Sequence, residues 1–125
     1  MAAATSNVRA AFMAKTLYCW RCRTDVPMLD EQEWQEVTGL LHKGRENVKE
    51  YRRAHDAPLH QVPKPIFDAG ALDRYFEITG FRETNLDALW HHRLAQFGPP
   101  CATCGKPLRT PQARLCAECG ADVER

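Results

Sequence analysis

Residues 101–120 read CATCGKPLRTPQARLCAECG, and this stretch decides the fold of the C-terminal end. Two residues separate the cysteines of each pair, so a tight turn can aim both sulfurs at one point, about 2.3 Å from a zinc ion. Gly105 and Gly120 directly follow the two pairs, at a position where such a turn needs a positive φ angle. The spacing C-x2-C-x11-C-x2-C therefore predicts one zinc site with four cysteine ligands: Cys101, Cys104, Cys116 and Cys119.

The residues between the two pairs predict a hairpin. KPLRT (106–110) and ARL (113–115) are long enough for two short strands, and Pro111 suits the turn that would reverse them. Leu108 and Leu115 are almost the only large apolar side chains here, and their burial cannot offset an ordering cost of about 1–2 kcal/mol per residue. Because structural zinc contributes about 10–16 kcal/mol in small peptides, we expect this segment to fold only with metal.

With both Cys-x-x-Cys-Gly turns present, residues 101–120 resemble a zinc ribbon, a family of short metal-clamped β-hairpins. The resemblance implies four zinc ligands and a local fold. More loosely, the whole chain resembles small bacterial proteins that end in such a ribbon, which bring no established activity. The alternatives are less favoured, because disulfides need an oxidising compartment and a redox Cys-x-x-Cys motif is typical of a βαβ context.

Cys19 and Cys22 form a third pair within LYCWRCRTDVPML (17–29), and Arg23 stands where the other pairs have glycine. Two thiolates do not complete a zinc site, so further ligands are needed. One or two of four histidines are the candidates. His55 and His60 have a finger-like spacing, whereas adjacent helical residues point about 100° apart, so we expect at most one of the other two to coordinate. The four are His55, His60, His91 and His92.

The middle of the chain predicts helices. Residues 30–55 repeat apolar side chains at steps of three and four, and Asp30 with Glu33 resembles a capping box. DAPLHQVPKP (56–65) predicts a linker because its prolines cannot continue a helix. A second helix is expected over 67–79, and a third from Thr84, which forms a capping-box spacing with Asp87, to Phe97.

We therefore expect a mainly α fold: a small three-helix body with an N-terminal Cys-x-x-Cys knuckle and a C-terminal zinc-ribbon β-hairpin. The expected divisions are a disordered tail (1–14), the knuckle (15–29), the helical body (30–98) and the ribbon (99–125). Arg9 and Lys15, without an acidic residue nearby, leave an organelle-targeting segment as the alternative for the tail.

Composition limits the function classes. The 125 residues are 44% apolar and 26% charged with a mean hydropathy of −0.50, and no run of about 18 apolar residues predicts a membrane span. A formal net charge of +1 is not typical of a broad nucleic-acid-binding face. The start lacks an apolar secretory core, so the six cysteines indicate thiolates in a reducing compartment, and we expect a cytoplasmic protein.

No catalytic motif stands out, and a zinc ion with four thiolates has no open position for water. We expect one zinc ion, and a second one if further ligands complete a site with Cys19 and Cys22. We expect no enzymatic activity. The favoured function is a protein-interaction or adaptor module. One alternative is thiol redox or metal handling through Cys19 and Cys22, for which a zinc site shared across a homodimer is a further possibility. The other is nucleic-acid binding through basic residues of the C-terminal hairpin and the first helix: Lys106, Arg109, Arg114, Lys43, Arg45, Lys49, Arg52 and Arg53.

Overall fold

The computed structural model describes residues 16–123, and the expected tail over 1–14 lies outside that range. The described chain is mostly helical, with a small two-stranded antiparallel sheet. No helix within it has both the length and the apolar character needed to cross a bilayer. Its elements are β1 (Thr16–Cys19), β2 (Thr24–Pro27), α1 (Glu31–His55), α2 (Lys64–Asp68) and α3 (Ala71–Thr79), with 3-10 helices at Leu59–Gln61, Leu86–His91 and Leu94–Gln96.

The first two strands form a hairpin whose turn contains the N-terminal cysteine pair. Leu17 pairs with Val26, and Cys19 pairs with Thr24 at the end of the ladder. The Arg23 amide closes the turn by donating to the Cys19 carbonyl at 2.7 Å. Both cysteines are thereby held on one side of a tight turn, as the spacing predicts.

Helix α1 confirms the sequence prediction closely. Asp30 caps it, because its carboxylate accepts from the Glu33 amide at 2.8 Å while the Asp30 amide donates to the Glu33 carboxylate at 3.0 Å. The helix ends at His55, followed by Asp56 in the left-handed conformation. Its predicted apolar stripe is buried as far as Val48, whereas the last turn extends beyond the core and His55 is exposed.

The helix predicted over 67–79 is two helices. The prediction of a third helix from Thr84 to Phe97 was wrong. Between α2 and α3, Ala69 and Gly70 have φ angles of 51° and 87°, which interrupt the helical path. Helix α2 also begins inside the predicted linker, since proline is tolerated in a first turn that has no partner for its amide. Residues 86–97 form two 3-10 helices, and the cap of the first is Asn85, whose side chain accepts from the Asp87 amide.

The main core lies between α1, α3 and the first of these 3-10 helices. Seven buried residues form it: Leu29, Trp34, Val37, Leu41, Ala71, Tyr75 and Leu89. Tyr75 also ties the hairpin to the body, because its hydroxyl donates to the Pro27 carbonyl. A second cluster joins Cys19, Val26, Met28 and Phe97. The hairpin with its cysteines is therefore packed onto the helical body.

Candidate metal centres

The four C-terminal cysteines lie together and are all free thiols. Their sulfurs fall within 4.8 Å of one another. The Cys101 and Cys119 sulfurs are 3.7 Å apart, and those of Cys104 and Cys116 are 3.6 Å apart. Disulfide sulfurs would be about 2.05 Å apart, whereas four sulfurs bound tetrahedrally at about 2.3 Å from one ion are about 3.8 Å apart. The group fits a metal ion and not a pair of disulfides.

Each C-terminal pair lies in its own knuckle. The Gly105 amide donates to the Cys101 carbonyl at 2.8 Å, and the Gly120 amide donates to the Cys116 carbonyl at 2.7 Å. Both glycines have a φ angle of 81°, the positive value that their position predicts. The Cys101 amide then bonds the Lys106 carbonyl, just as the Cys116 amide bonds that of Ala121.

This pairing corrects the predicted hairpin. The isolated bridges join Pro100 to Pro107 and Leu115 to Asp122, so each knuckle pairs with the chain on its own two sides. The segments 106–110 and 113–115, expected to pair with each other, serve different knuckles. The reason is that, in each knuckle, the amide of the first cysteine donates to a carbonyl after the second cysteine, so the backbone groups there are already paired within the knuckle.

The electrostatics of this group favour a cation at its centre. The amides of Cys104 and Thr103 lower the pKa of Cys101 to about 6. The amide of Ala121 also lowers the pKa of Cys119, but burial and the three neighbouring sulfurs outweigh it and raise that pKa to about 12. The four thiols cannot all ionise together without a positive charge between them, and a divalent metal supplies that charge.

A second group unites Cys19, Cys22, His91 and His92, whose ligand atoms also lie within 4.8 Å of one another. The Cys22 sulfur is 3.3 Å from Nε2 of His92, a side chain that is fully buried. The two imidazole rings are 5.8 Å apart and nearly perpendicular, at 84°. The odd cysteine pair therefore faces two histidines that can complete a four-ligand site.

The chain brings these four side chains together through a long-range backbone clasp. The Leu29 amide donates to the His92 carbonyl and the Leu94 amide donates to the Leu29 carbonyl, both at 2.8 Å. This parallel bridge between Leu29 and Arg93 is reinforced by an ion pair between Arg93 and Glu31. Residues 91–93 are thus fixed beside the segment that follows the first knuckle.

The expectation that at most one of His91 and His92 could coordinate assumed a continuous α-helix. His91 instead ends a 3-10 helix, and His92 has left helical geometry at φ −99° and ψ 42°. The rings of adjacent residues can then approach one point from two directions. Sequence reasoning missed this because no local signal marks where residue 92 leaves the helix to pair with residue 29.

The other two candidate histidines belong to neither group. His55 is exposed at the end of α1, where its ring donates to the Tyr51 carbonyl at 2.9 Å and stacks on the Tyr51 ring. His60 is exposed in the short 3-10 helix after Pro58. Despite their finger-like spacing, neither side chain lies in a group of candidate metal ligands.

Burial controls the protonation of the second group. Burial and the neighbouring His91 lower the pKa of His92 to about 4, so its imidazole is neutral near pH 7, the form that binds metal. Burial, assisted by Cys19 and Glu83, raises the pKa of the Cys22 thiol to about 11. Burial also lowers the pKa of His91. Without a cation, burial therefore disfavours the charged forms of Cys22, His91 and His92.

Glu83 is a residue of this site that the sequence did not reveal. Its Oε1 lies 4.0 Å from Nδ1 of His92, an atom that is buried and has no hydrogen-bond partner in the described chain. The other oxygen, Oε2, accepts from the amides of Thr84 and Asn85, which holds the carboxylate in place. A carboxylate behind a ligating histidine is a common arrangement in metal sites, since it fixes the ring orientation.

Three comparisons, with protein-family models, with curated proteins and with solved structures, find no significant match to this chain. The zinc-ribbon resemblance of residues 101–120 is therefore supported by the geometry of the four cysteines alone. Within residues 16–123, two groups of cysteine and histidine side chains could hold a metal ion.

Proposed function

We propose that this protein is a non-enzymatic binding module whose fold is held by two structural zinc ions. The observation that supports the proposal is the presence of two separate groups, each offering four ligand atoms within 4.8 Å. One is a four-cysteine site in the C-terminal knuckles. The other is a mixed site of two cysteines and two histidines, between the N-terminal hairpin and residues 91–92. Both are ligand sets in which structural zinc is common.

The two ligand sets suit their surroundings. Zinc with two thiolates and two neutral imidazoles carries no net charge, whereas zinc with four thiolates carries about −2. No side chain of the neutral set is exposed, and Cys19 and His92 are both fully buried. The charged set includes the exposed Cys119. This distribution avoids the large cost of burying an uncompensated charge.

A structural role follows from the ligand count. Catalytic zinc sites keep one position for water or substrate, whereas each group here offers four ligand atoms, which would leave a bound zinc ion no open position. Free thiols rather than disulfides also suit a reducing compartment, so a cytoplasmic location belongs to the same proposal. Cys19 and Cys22 then have a role as ligands, which makes thiol redox chemistry at that pair the weaker alternative.

Metal content tests the proposal directly. The protein would be expressed in zinc-containing medium and purified without added metal, and zinc and iron would be counted per chain by mass spectrometry. We expect two zinc ions per chain, one for each group. Replacing Cys101 and Cys104 by serine should remove one zinc, and replacing Cys19 and Cys22 by serine should remove the other. His55→Gln combined with His60→Gln is the matched control and should retain both.

Cobalt substitution then identifies each ligand set by its visible spectrum, because a site with four sulfurs and one with two sulfurs and two nitrogens absorb differently. A single zinc per chain with Cys19 and Cys22 open to alkylation would disprove the two-site proposal. If the purified protein contained stoichiometric iron and no zinc, the resident metal would be iron, since tetrahedral sulfur sites also suit iron.

The binding role needs a partner. The sequence favours a protein partner, and a pull-down with the intact chain against the Cys101→Ser, Cys104→Ser variant would test whether the ribbon contacts one. A nucleic-acid partner is the second candidate, and it is supported by a surface of cations and aromatic rings between the N-terminal hairpin and the C-terminal segment.

A further inference from the structure

We infer that a surface shared by the N-terminal knuckle (Cys19 and Cys22) and the first C-terminal knuckle (Cys101 and Cys104) binds single-stranded nucleic acid. The inference rests on the proposed function, because zinc at both sites would hold the two knuckles that build the surface. We call it the cation–ring surface, and it consists of Tyr18, Trp20, Arg21, Arg23, Lys106 and Arg109. None of these side chains belongs to either group of candidate metal ligands.

Cations from the C-terminal knuckle lie over rings of the N-terminal hairpin. Nζ of Lys106 is 4.2 Å from the centre of the Tyr18 ring, and the guanidinium carbon of Arg109 is 4.2 Å from that of Trp20. A second guanidinium, that of Arg21, lies 4.5 Å from the same Trp20 ring. Cations of the C-terminal segment therefore lie against both aromatic rings of the N-terminal hairpin, so the surface crosses from one knuckle to the other.

An open groove runs beside these rings. It encloses about 560 Å³ and is lined by Tyr18, Trp20, Arg21, Arg23, Arg109 and Glu118. A groove of this size is in the range of pockets that hold a nucleotide-sized ligand. The groove is bounded by both knuckles, so neither of them would form it alone.

The cations of this surface have fewer carboxylate partners than the arginines of the helical body. Four of the six arginines in residues 30–98 pair with carboxylates: Arg53 with Glu50, Arg74 with Glu36 and Glu77, Arg82 with Asp73, and Arg93 with Glu31.

In contrast, Arg21 and Arg23 are exposed and form no ion pair within residues 16–123. Arg109 does bond Glu118 at 3.1 Å, yet its Nε is buried and has no hydrogen-bond partner in that range. Glu118 is the single carboxylate lining the groove. The exposed guanidinium groups of Arg21 and Arg23 are suited to phosphate oxygens, which accept hydrogen bonds from arginine in a planar geometry.

The rings decide between nucleic acid and an acidic protein segment. An acidic peptide would use the cations only, whereas unstacked bases also pack on aromatic rings and on guanidinium planes. Base stacking contributes about 1–3 kcal/mol per base. A duplex hides the faces of its bases, so a single strand is the ligand that uses both features of the surface.

Fluorescence anisotropy of labelled dT12 and U12 oligonucleotides tests the inference on the metal-loaded full chain. We expect binding that weakens with salt. The variant R21Q/R23Q should bind at least tenfold more weakly at low salt. Its plot of log affinity against log salt should lose about 1.4 units of slope, since each lost phosphate contact to a single strand removes about 0.7. Both residues are exposed, so the fold should be retained.

The matched control is K49Q/R53Q, which removes two exposed cations from α1 and should change the affinity less than twofold. Equal loss in both variants would overturn the inference. Tighter binding of a 12-bp duplex, of poly-glutamate, or of base-free polyphosphate than of dT12 would also overturn it. Metal content is measured on the same samples, so two zinc ions without any binding at low salt defeats this inference and leaves the proposed function intact.

Discussion

At the scale of single residues, one backbone position recurs in three turns. The residue after the second cysteine is Arg23, Gly105 or Gly120, with φ angles of 60°, 81° and 81°. Its amide donates to the carbonyl of the first cysteine of the pair at 2.7, 2.8 and 2.7 Å. The N-terminal pair therefore adopts the same metal knuckle as the other two, although arginine stands where glycine is favoured.

This position predicts substitution effects of opposite sign. A side chain in the left-handed region costs about 1–2 kcal/mol, so Arg23→Gly should strengthen zinc binding at the mixed site by about 5- to 30-fold. Gly105→Ala and Gly120→Ala should each weaken the four-cysteine site by about 5- to 30-fold, because an added Cβ meets nothing within 4 Å and only the strain counts.

Competition with a zinc-binding dye measures both affinities. The four-cysteine site of Arg23→Gly and the mixed site of the two alanine variants are internal controls and should keep their affinity. Weaker binding at the mixed site of Arg23→Gly would contradict the shared-knuckle description.

At the scale of elements, the packing of α1 against α2 depends on one glycine. A Cβ built on Gly44 would lie 1.9 Å from the Phe67 carbonyl oxygen, which no side-chain movement can relieve. Gly39, on the same helix, is exposed and would meet nothing within 4 Å. The two glycines therefore share an interior position in one helix but differ in their surroundings.

We expect Gly44→Ala to lower the free energy of unfolding by at least about 2 kcal/mol, since the overpacking must separate two backbones. Gly39→Ala should raise it by about 1 kcal/mol, the difference in helix propensity. Urea unfolding followed by circular dichroism at saturating zinc gives both values. An equal effect of the two changes would show that α2 does not pack on α1 as described.

The elements also show where sequence prediction succeeds. The limits of α1 follow from local signals, namely the Asp30 cap and a regular apolar stripe, and both are confirmed. Residues 86–97 have a helical apolar spacing too, yet the bridge from Leu29 to Arg93 redirects the chain at His92. Cysteine spacing predicts one four-ligand group within a short segment. The second group depends on that long-range bridge, which no local pattern encodes.

At the scale of the whole molecule, the two candidate metal sites differ in what they connect. The four-cysteine site joins residues that are close in sequence. In the mixed site, Cys22 and His92 are 70 residues apart, and the chain between them contains the entire helical core. Closing a loop of this length with a covalent link stabilises a protein by about 4 kcal/mol, and a metal bridge acts in the same sense.

Loss of one site should therefore affect the molecule differently from loss of the other. Cys19→Ser should lower the midpoint of thermal unfolding of α1, because the body loses its loop closure. Cys116→Ser should leave that midpoint within a few degrees and abolish protection only in 99–123. Both cysteines are almost fully buried, at 0% and 1% exposure, so the substitutions are matched in local cost. Circular dichroism follows α1, and hydrogen exchange locates the loss of protection. An equal shift of the α1 midpoint in both variants would mean that the ribbon and the body unfold as one unit, contrary to the connectivity of the two sites.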